Sequence, residues 1–153
     1  MNEYKASECK AFLLSDDLVS RHRGAVFAGS LGIHGTSLLQ TLANLVIHES
    51  KRDRPMSDLE VKCVCRAIDS IGLIATASRA TLDSELVKHL DTSFRVAIES
   101  SEKSVVASVV QAIERGLVGS HTLIQALAGW RGKLSPEWNE RLLIVTEGAK
   151  GED

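Results

Sequence analysis

Apolar residues recur at intervals of three and four along almost the whole chain, and this spacing constrains the fold more than any other feature. After Ser57 they lie on a single stripe, made by Val64, Ala67, Ile68, Ile71, Ile74 and Ala75. An α-helix brings such positions to one face, because it has about 3.6 residues per turn. Ser57 and Glu60 also have the spacing of a capping box. The sequence therefore predicts a helix that begins after Ser57.

Two short segments could also form strands, because their apolar residues alternate or run together. Leu59–Ala67 alternates with a period of two, and Leu142–Val145 is a short apolar run. In the first segment the helical stripe is longer and begins at a cap, which favours a helix. Upstream of the second, Ser135-Pro136-Glu137 supplies a capping hydroxyl, a proline in the first turn and an acid near the positive end of the helix dipole. A helix is the favoured interpretation of both segments.

The same spacing predicts further helices on either side. They are Asp16–Ala28 with Ser15 as its cap, a helix through Leu38–Val46 opened by Thr36 or Ser37, Leu82–Ala97 with Thr81 as its cap, a valine-rich helix from Ser101, and a short helix from Ser120 to Gly129. Short connections join them, so the sequence predicts one compact all-α domain over residues 1–147, an array or bundle of about six to seven helices with a single core. Residues 148–153 are predicted to be a flexible polar tail.

Composition supports an ordinary globular domain. The chain has 153 residues, of which 44% are hydrophobic and 25% charged, so it can bury a core without disulfides or metal ions. The formal net charge is −2, which argues against a strongly basic nucleic-acid tail. No apolar stretch is long enough to predict a membrane-spanning helix or a membrane partner. Three cysteines, an odd number, favour a reducing, cytoplasmic setting.

The residues that usually carry catalysis or bind metals show no recognisable spacing. Cys63 and Cys65 would point to opposite sides of a helix and could not share one metal ion. The five histidines have none of the spacings that are typical of metal sites. The sequence therefore predicts no catalytic residue, no metal and no cofactor.

The glycine-rich segment Gly29–Ser37 precedes a predicted helix, and such a loop can hold an anion on its backbone N–H groups. Its spacing matches neither the P-loop nor the dinucleotide-binding fingerprint. A turn between two packed helices is the favoured interpretation. An anion- or nucleotide-dependent enzyme that uses this loop remains an alternative function.

Basic residues cluster twice, at Arg21 and Arg23 and again at Lys51, Arg52 and Arg54. The second cluster follows a predicted helix, where cations favour the negative end of the dipole. Together the two clusters are the candidate binding surface, and a nucleic acid or an acidic partner would fit them. Nucleic-acid binding through these residues is the first alternative function.

The valine-rich helix suggests how the chain acts. Val105, Val106, Val109 and Val110 make an apolar face that one core is not expected to absorb, and such surplus faces form helical dimers. The leading hypothesis is a non-enzymatic helical binding or regulatory protein. It acts through contacts with a protein partner or with a second copy as a homodimer.

Overall fold

A computed structural model describes the backbone of residues 2–51, 54–116 and 120–151. Within these residues the chain forms eight α-helices and two 3-10 segments in a single compact array, without a strand. The prediction of an all-α fold is confirmed, and the predicted number of six to seven helices was close. Leu59–Ala67 and Leu142–Val145 are both helical.

The bounds of the helices are as follows: α1 Asn2–Leu13, α2 Leu18–Gly29, α3 Leu39–Ser50, α4 Asp58–Ala77, α5 Ser84–Glu99, α6 Lys103–Glu114, α7 His121–Ala128 and α8 Pro136–Gly151. The 3-10 segments are Gly32–Leu38, between α2 and α3, and Arg79–Thr81, between α4 and α5.

Helix α4 lies at the centre of the array and packs against α2, α3 and α6. It begins at the predicted capping box: the Ser57 hydroxyl accepts the Glu60 N–H at 3.2 Å, and the Glu60 carboxylate accepts the Ser57 N–H at 2.8 Å. Its apolar stripe is fully buried, as the 0% exposure of Ile68 and Ile71 shows. No helix among the described residues has both the length and the apolar content needed to cross a membrane.

Small residues on α2 let two other helices approach its backbone closely. A Cβ atom added to Gly24 would lie 2.9 Å from Phe12 Cβ of α1, and one added to Gly29 would lie 2.8 Å from Ser70 Oγ of α4. The Ser70 hydroxyl donates a hydrogen bond to the Ala25 carbonyl at 2.5 Å. Helix α2 is therefore held between α1 and α4.

Several predicted helix starts differ from the observed ones. Asp17 caps α2 in place of Ser15, because its carboxylate accepts the Ser20 N–H. Asp83 caps α5 in place of Thr81, and its carboxylate accepts the Leu86 N–H at 2.7 Å. In both cases a nearby carboxylate, and not the predicted hydroxyl, accepts the N–H group in the first turn of the helix.

The valine-rich helix α6 begins at Lys103, after Glu102, and the predicted opening residue Ser101 lies before it with a positive φ of 66°. Its valines do not provide the surplus apolar face that the sequence suggested. All four, Val105, Val106, Val109 and Val110, are 0% exposed. Helices α4, α5 and α8 all pack against α6, so its apolar side chains are buried within one chain.

The two ends of the chain are more helical than expected. The sequence predicted no helix before Asp16, yet α1 is formed. Between Lys5 and Leu13, where burial is described, it buries Ala6, Cys9 and Leu13, too few apolar residues to make a clear stripe. Helix α8 begins at Pro136 as predicted, and its backbone continues to Gly151, through most of the predicted tail. Residues 152 and 153 lie outside the described residues.

Candidate functional site

The two arginines of the first basic cluster do not share a surface. Arg21 turns into the array, where its Nη2 lies 3.1 Å from Glu49 Oε1 and its Nη1 donates to the Ser15 carbonyl at 2.9 Å. Arg23 is exposed. Residues two apart on a helix point about 200° away from each other, which separates the pair.

The second cluster is divided in the same way. The Arg54 guanidinium donates two hydrogen bonds to the buried carboxylate of Glu60, at 2.7 and 3.2 Å. These bonds raise the pKa of Arg54 and tie it to the start of α4. Lys51 is exposed, and Arg52 lies outside the described residues. Of the four described basic residues, Arg21 and Arg54 are therefore bound to buried carboxylates, whereas Arg23 and Lys51 are exposed.

The glycine-rich segment Gly29–Ser37 forms the end of α2 and most of a 3-10 turn. A Cβ atom on Gly35 would lie 2.8 Å from Ile74 Cδ1, so the turn packs closely on α4. The Thr36 hydroxyl donates to the Ile33 carbonyl at 2.7 Å and lies 2.5 Å from the Ser78 hydroxyl. These contacts support the interpretation of the segment as a turn between packed helices.

Apolar side chains stand exposed where α2 and α4 meet. On α2, Val19 and Val26 are 52% and 50% exposed, and on α4 Leu73 is 43% exposed. A Cβ atom on Gly29 would lie 3.3 Å from Leu73 Cδ1, which places Leu73 beside the last turn of α2. On α2 itself a shallow concavity of about 430 Å³ is lined by Val19, His22, Arg23, Val26 and Phe27.

Cationic side chains border these apolar residues. The pKa of His22 is lowered by its burial and by the positive charges of Arg66 and Lys62 on α4. Arg23, on the same turn of α2 as His22, adds a further charge. We call this surface the α2–α4 face; it comprises Val19, His22, Arg23, Val26, Lys62, Arg66 and Leu73.

The sequence predictions missed the α2–α4 face because its residues come from segments about 40 positions apart. Arg23 is the one member that was predicted. A signal was nevertheless present: Val19 and Val26 lie seven positions apart, and Lys62 and Arg66 lie four apart, so each pair occupies one side of its helix.

Lys62 and Arg66 also border a second concavity, of about 650 Å³, between α4 and α6. Short side chains of α6 leave this space open: Ser104, Ala107 and Ser108. The segment from Leu134 to Trp138 adds an apolar wall. We call this space the α4–α6 groove; its lining residues are Asp58, Val61, Lys62, Cys65, Arg66, Asp69, Glu102, Lys103, Ser104, Ala107, Ser108, Gln111, Leu134, Ser135 and Trp138.

The carboxylate of Asp69 is the most unusual group in the groove. Burial raises its pKa, while Arg115, Arg66 and Ser108 oppose that shift. Its Oδ2 lies 3.5 Å from the Arg66 guanidinium. Its Oδ1 is buried and lacks a hydrogen-bond partner among the described residues. The carboxylate is thus held within the protein by Arg66, Arg115 and Ser108.

The thiol of Cys65 lines the groove near Ser108. Its pKa is raised by burial, and a hydrogen bond with Ser108 only partly offsets that shift. A thiol with a raised pKa stays protonated near neutral pH and is a poor nucleophile. Cys63 is buried on the other side of α4, as predicted for residues two apart on a helix.

The remaining groups of the groove suit binding better than chemistry. Three acids (Asp58, Asp69 and Glu102) face three bases (Lys62, Arg66 and Lys103), so the lining charges balance. Among the described residues, no histidine lines the groove. Nor do the described His, Cys, Asp and Glu side chains form a group of three or more that could hold a metal ion.

Comparison with known proteins finds no family model, no curated protein and no solved structure that matches this chain.

Proposed function

We propose that this chain is a non-enzymatic helical binding protein with a regulatory role, and that it recognises a protein partner through the α2–α4 face. One observation carries the proposal: three branched apolar side chains, Val19, Val26 and Leu73, are about half exposed beside a group of cations. Single exposed apolar residues are common, but neighbouring ones on a small domain are typical of interaction sites.

The charges beside the apolar residues indicate the chemistry of the partner. Arg23, Lys62 and Arg66 would attract carboxylates, and Val19 and Val26 would pack against apolar side chains. An acidic amphipathic helix presents both kinds of group at the spacing of α2. We therefore propose an acidic amphipathic segment of another protein as the partner.

A second copy of this chain fits the face less well. A two-fold interface places the same patch on both subunits, so it would contain two copies each of Arg23, Lys62 and Arg66. Like charges brought together at an interface oppose association. The valines of α6, which suggested self-association, are buried within one chain. A heterologous partner is the better-supported proposal.

Nucleic acid is the next candidate, because cations also bind phosphate groups. Phosphate contacts require charge but make no use of exposed valine and leucine. Of the five basic residues predicted for that role, Arg21 and Arg54 are bound to the buried carboxylates Glu49 and Glu60. A protein segment uses both the charged and the apolar parts of the face.

We further propose that the protein works in the cytoplasm. Its three cysteines are all free thiols, two buried and one half-buried. Thiols persist in reducing compartments, whereas disulfides accumulate in oxidising ones.

The proposal is tested with a fluorescent peptide of about 14 residues, four helical turns, that carries leucine on one face and glutamate on the other. Fluorescence anisotropy measures its binding. We expect Val26→Asp and Arg23→Glu each to weaken binding by about tenfold or more. Ile144→Asp is the matched control, because Ile144 is 64% exposed on α8, outside the face.

Three results would contradict the proposal. The first is equal binding of a peptide with the same composition but a scrambled order, since that peptide lacks an apolar face. The second is unchanged binding by the Val26→Asp variant. The third is tighter binding of short oligonucleotides than of the peptide, with affinity that falls steeply with salt concentration, which would favour the nucleic-acid alternative.

A further inference from the structure

We infer that helix α8 of a second copy of this chain docks head to tail on the α2–α4 face and so competes with the proposed partner. The inference rests on the proposed function, because it takes the face to be a receptor for an acidic helix. It adds a regulation of that site by self-association. Its basis is the charge complementarity of two exposed surfaces of one molecule.

One side of α8 is exposed and acidic. Its exposed side chains follow one another at intervals of three and four: Glu137, Glu140, Ile144 and Glu147. Because a helix has about 3.6 residues per turn, these four positions lie within about 80° of its circumference. We call them the α8 stripe. The stripe combines carboxylates with an isoleucine that is 64% exposed, which is the chemistry expected of the partner.

Two carboxylates of the α8 stripe are available to an outside cation. Neither Glu137 nor Glu140 forms an ion pair with another described residue. The neighbouring cation Arg141 is already bound by Glu114, which accepts its Nε–H at 3.0 Å. The acid at the C-terminal end of the stripe is paired with Arg131 at 2.8 Å.

The α2–α4 face supplies the opposite charges. Arg23 and Lys62 are exposed and form no ion pair with another described residue. The Arg66 side chain is 58% exposed, and its guanidinium lies 3.5 Å from Asp69. The concavity of about 430 Å³ on α2 lies beside these cations and has three apolar side chains in its lining. It therefore offers a place for Ile144 between positive charges.

The two surfaces meet only between copies. Within one copy α8 packs against α6 and α7, and its Leu142 is fully buried, whereas α2 packs against α1 and α4. A head-to-tail contact uses a different surface on each subunit, so it brings acids against cations, unlike a two-fold contact of the face with itself. Each bound copy retains one free surface of either kind, so association continues into chains or closes into a ring.

The α8 stripe is a weaker match than the proposed partner, because it has one large apolar side chain and the partner has a whole apolar face. A partner therefore displaces the second copy. By mass action, self-association covers the face when this chain is concentrated and leaves it open when the chain is dilute.

Sedimentation velocity of the full chain tests the association. The mean sedimentation coefficient should rise as the concentration increases from about 10 μM to 1 mM. The rise should become smaller at high salt, because salt screens the charges at the contact. The acidic amphipathic peptide should reverse it by occupying the face.

Two complementary variants test the head-to-tail geometry. Val26→Asp alters only the face and Ile144→Asp only the stripe, and each alone should weaken self-association by about tenfold or more. An equimolar mixture retains one intact face and one intact stripe, so it should form a one-to-one complex that does not grow further. Val87→Asp is the control, because Val87 is exposed on α5 outside both surfaces, and it should associate as the unmodified protein does.

Three results would overturn the inference: a sedimentation coefficient that does not depend on concentration, association that persists in both aspartate variants, and a mixture of the two that stays monomeric. Each is distinguishable from failure of the proposed function, which is measured by binding of the peptide to dilute protein. Under those conditions Ile144→Asp leaves the face open and should not weaken peptide binding. A monomeric chain that still binds the peptide would contradict this inference alone.

Discussion

Arg21 and Glu49 form an ion pair within the helical array, with Arg21 Nη2 3.1 Å from Glu49 Oε1. The Glu49 side chain is fully buried and that of Arg21 is 15% exposed. The pair connects α2 with α3. Arg21 therefore belongs to the interior of the protein and not to a binding surface.

Replacing Arg21 with methionine should lower the free energy of unfolding by about 3–5 kcal/mol, because it leaves the buried charge of Glu49 without this partner. Guanidinium chloride denaturation measures the change. Arg23→Met is the matched control on the same helix, and as an exposed substitution it should change stability by less than about 0.5 kcal/mol. Similar losses from the two variants would show that the pair does not hold α2 against α3.

Gly24→Ala should destabilise the protein, although alanine normally stabilises a helix interior by about 0.8–1 kcal/mol relative to glycine. The new Cβ would lie 2.9 Å from Phe12 Cβ and 3.0 Å from the Leu13 backbone nitrogen. Overpacking of this kind typically costs about 1–3 kcal/mol. Thermal unfolding should show a smaller loss for Gly72→Ala, whose Cβ would lie 3.3 Å from the Ala112 methyl group. A more stable Gly24→Ala variant would contradict the close approach of α1.

His22 should titrate below its ordinary pKa of 6.5, because burial and the charges of Arg66 and Lys62 disfavour its protonated form. The unfolded chain then takes up this proton first as the pH falls. Stability should therefore decrease as the pH drops from above 6.5 towards the folded pKa, and the loss should be complete below that value.

The midpoint for His22 can be read from the NMR shifts of its ring protons. Lys62→Met and Arg66→Met should each move it upward, and His22→Gln should remove the associated change in stability with pH. An acidic peptide on the α2–α4 face should also raise the midpoint, because carboxylates favour the imidazolium. If the midpoint were the same in both variants, Lys62 and Arg66 would not lie near His22.

The buried thiols should resist modification in the folded protein. Burial raises the pKa of Cys9 to about 11 and that of Cys63 to about 12. Since the thiolate is the reactive form, a disulfide reagent at mildly alkaline pH should modify these two cysteines only as fast as the chain unfolds. Mass spectrometry of timed samples identifies the modified residues, and all three cysteines should react in denaturant. Rapid labelling of Cys63 in the native protein would contradict its burial.

The sequence by itself determined the helical class and several helix ends. The starts at Ser57, Ser120 and Pro136 were predictable because their signals lie within a few residues: a hydroxyl that accepts a nearby N–H, or a proline in the first turn. The long apolar stripe after Ser57 also determined which side of α4 is buried. Helix α1 was not predicted because the side chains that it buries between Lys5 and Leu13 are few and mostly small.

Tertiary packing decided which residues are available for binding. A basic residue has the same local pattern whether it is exposed, as Arg23 is, or paired with a buried carboxylate, as Arg21 is. The partner that distinguishes them, Glu49, lies 28 positions away from Arg21 in the sequence. His22 likewise lies near Arg66, and Cys65 near Ser108, although the members of each pair are more than 40 positions apart in the sequence. Local patterns reflect backbone hydrogen bonding over one or two turns, whereas these contacts depend on how whole helices cross, which no short segment specifies.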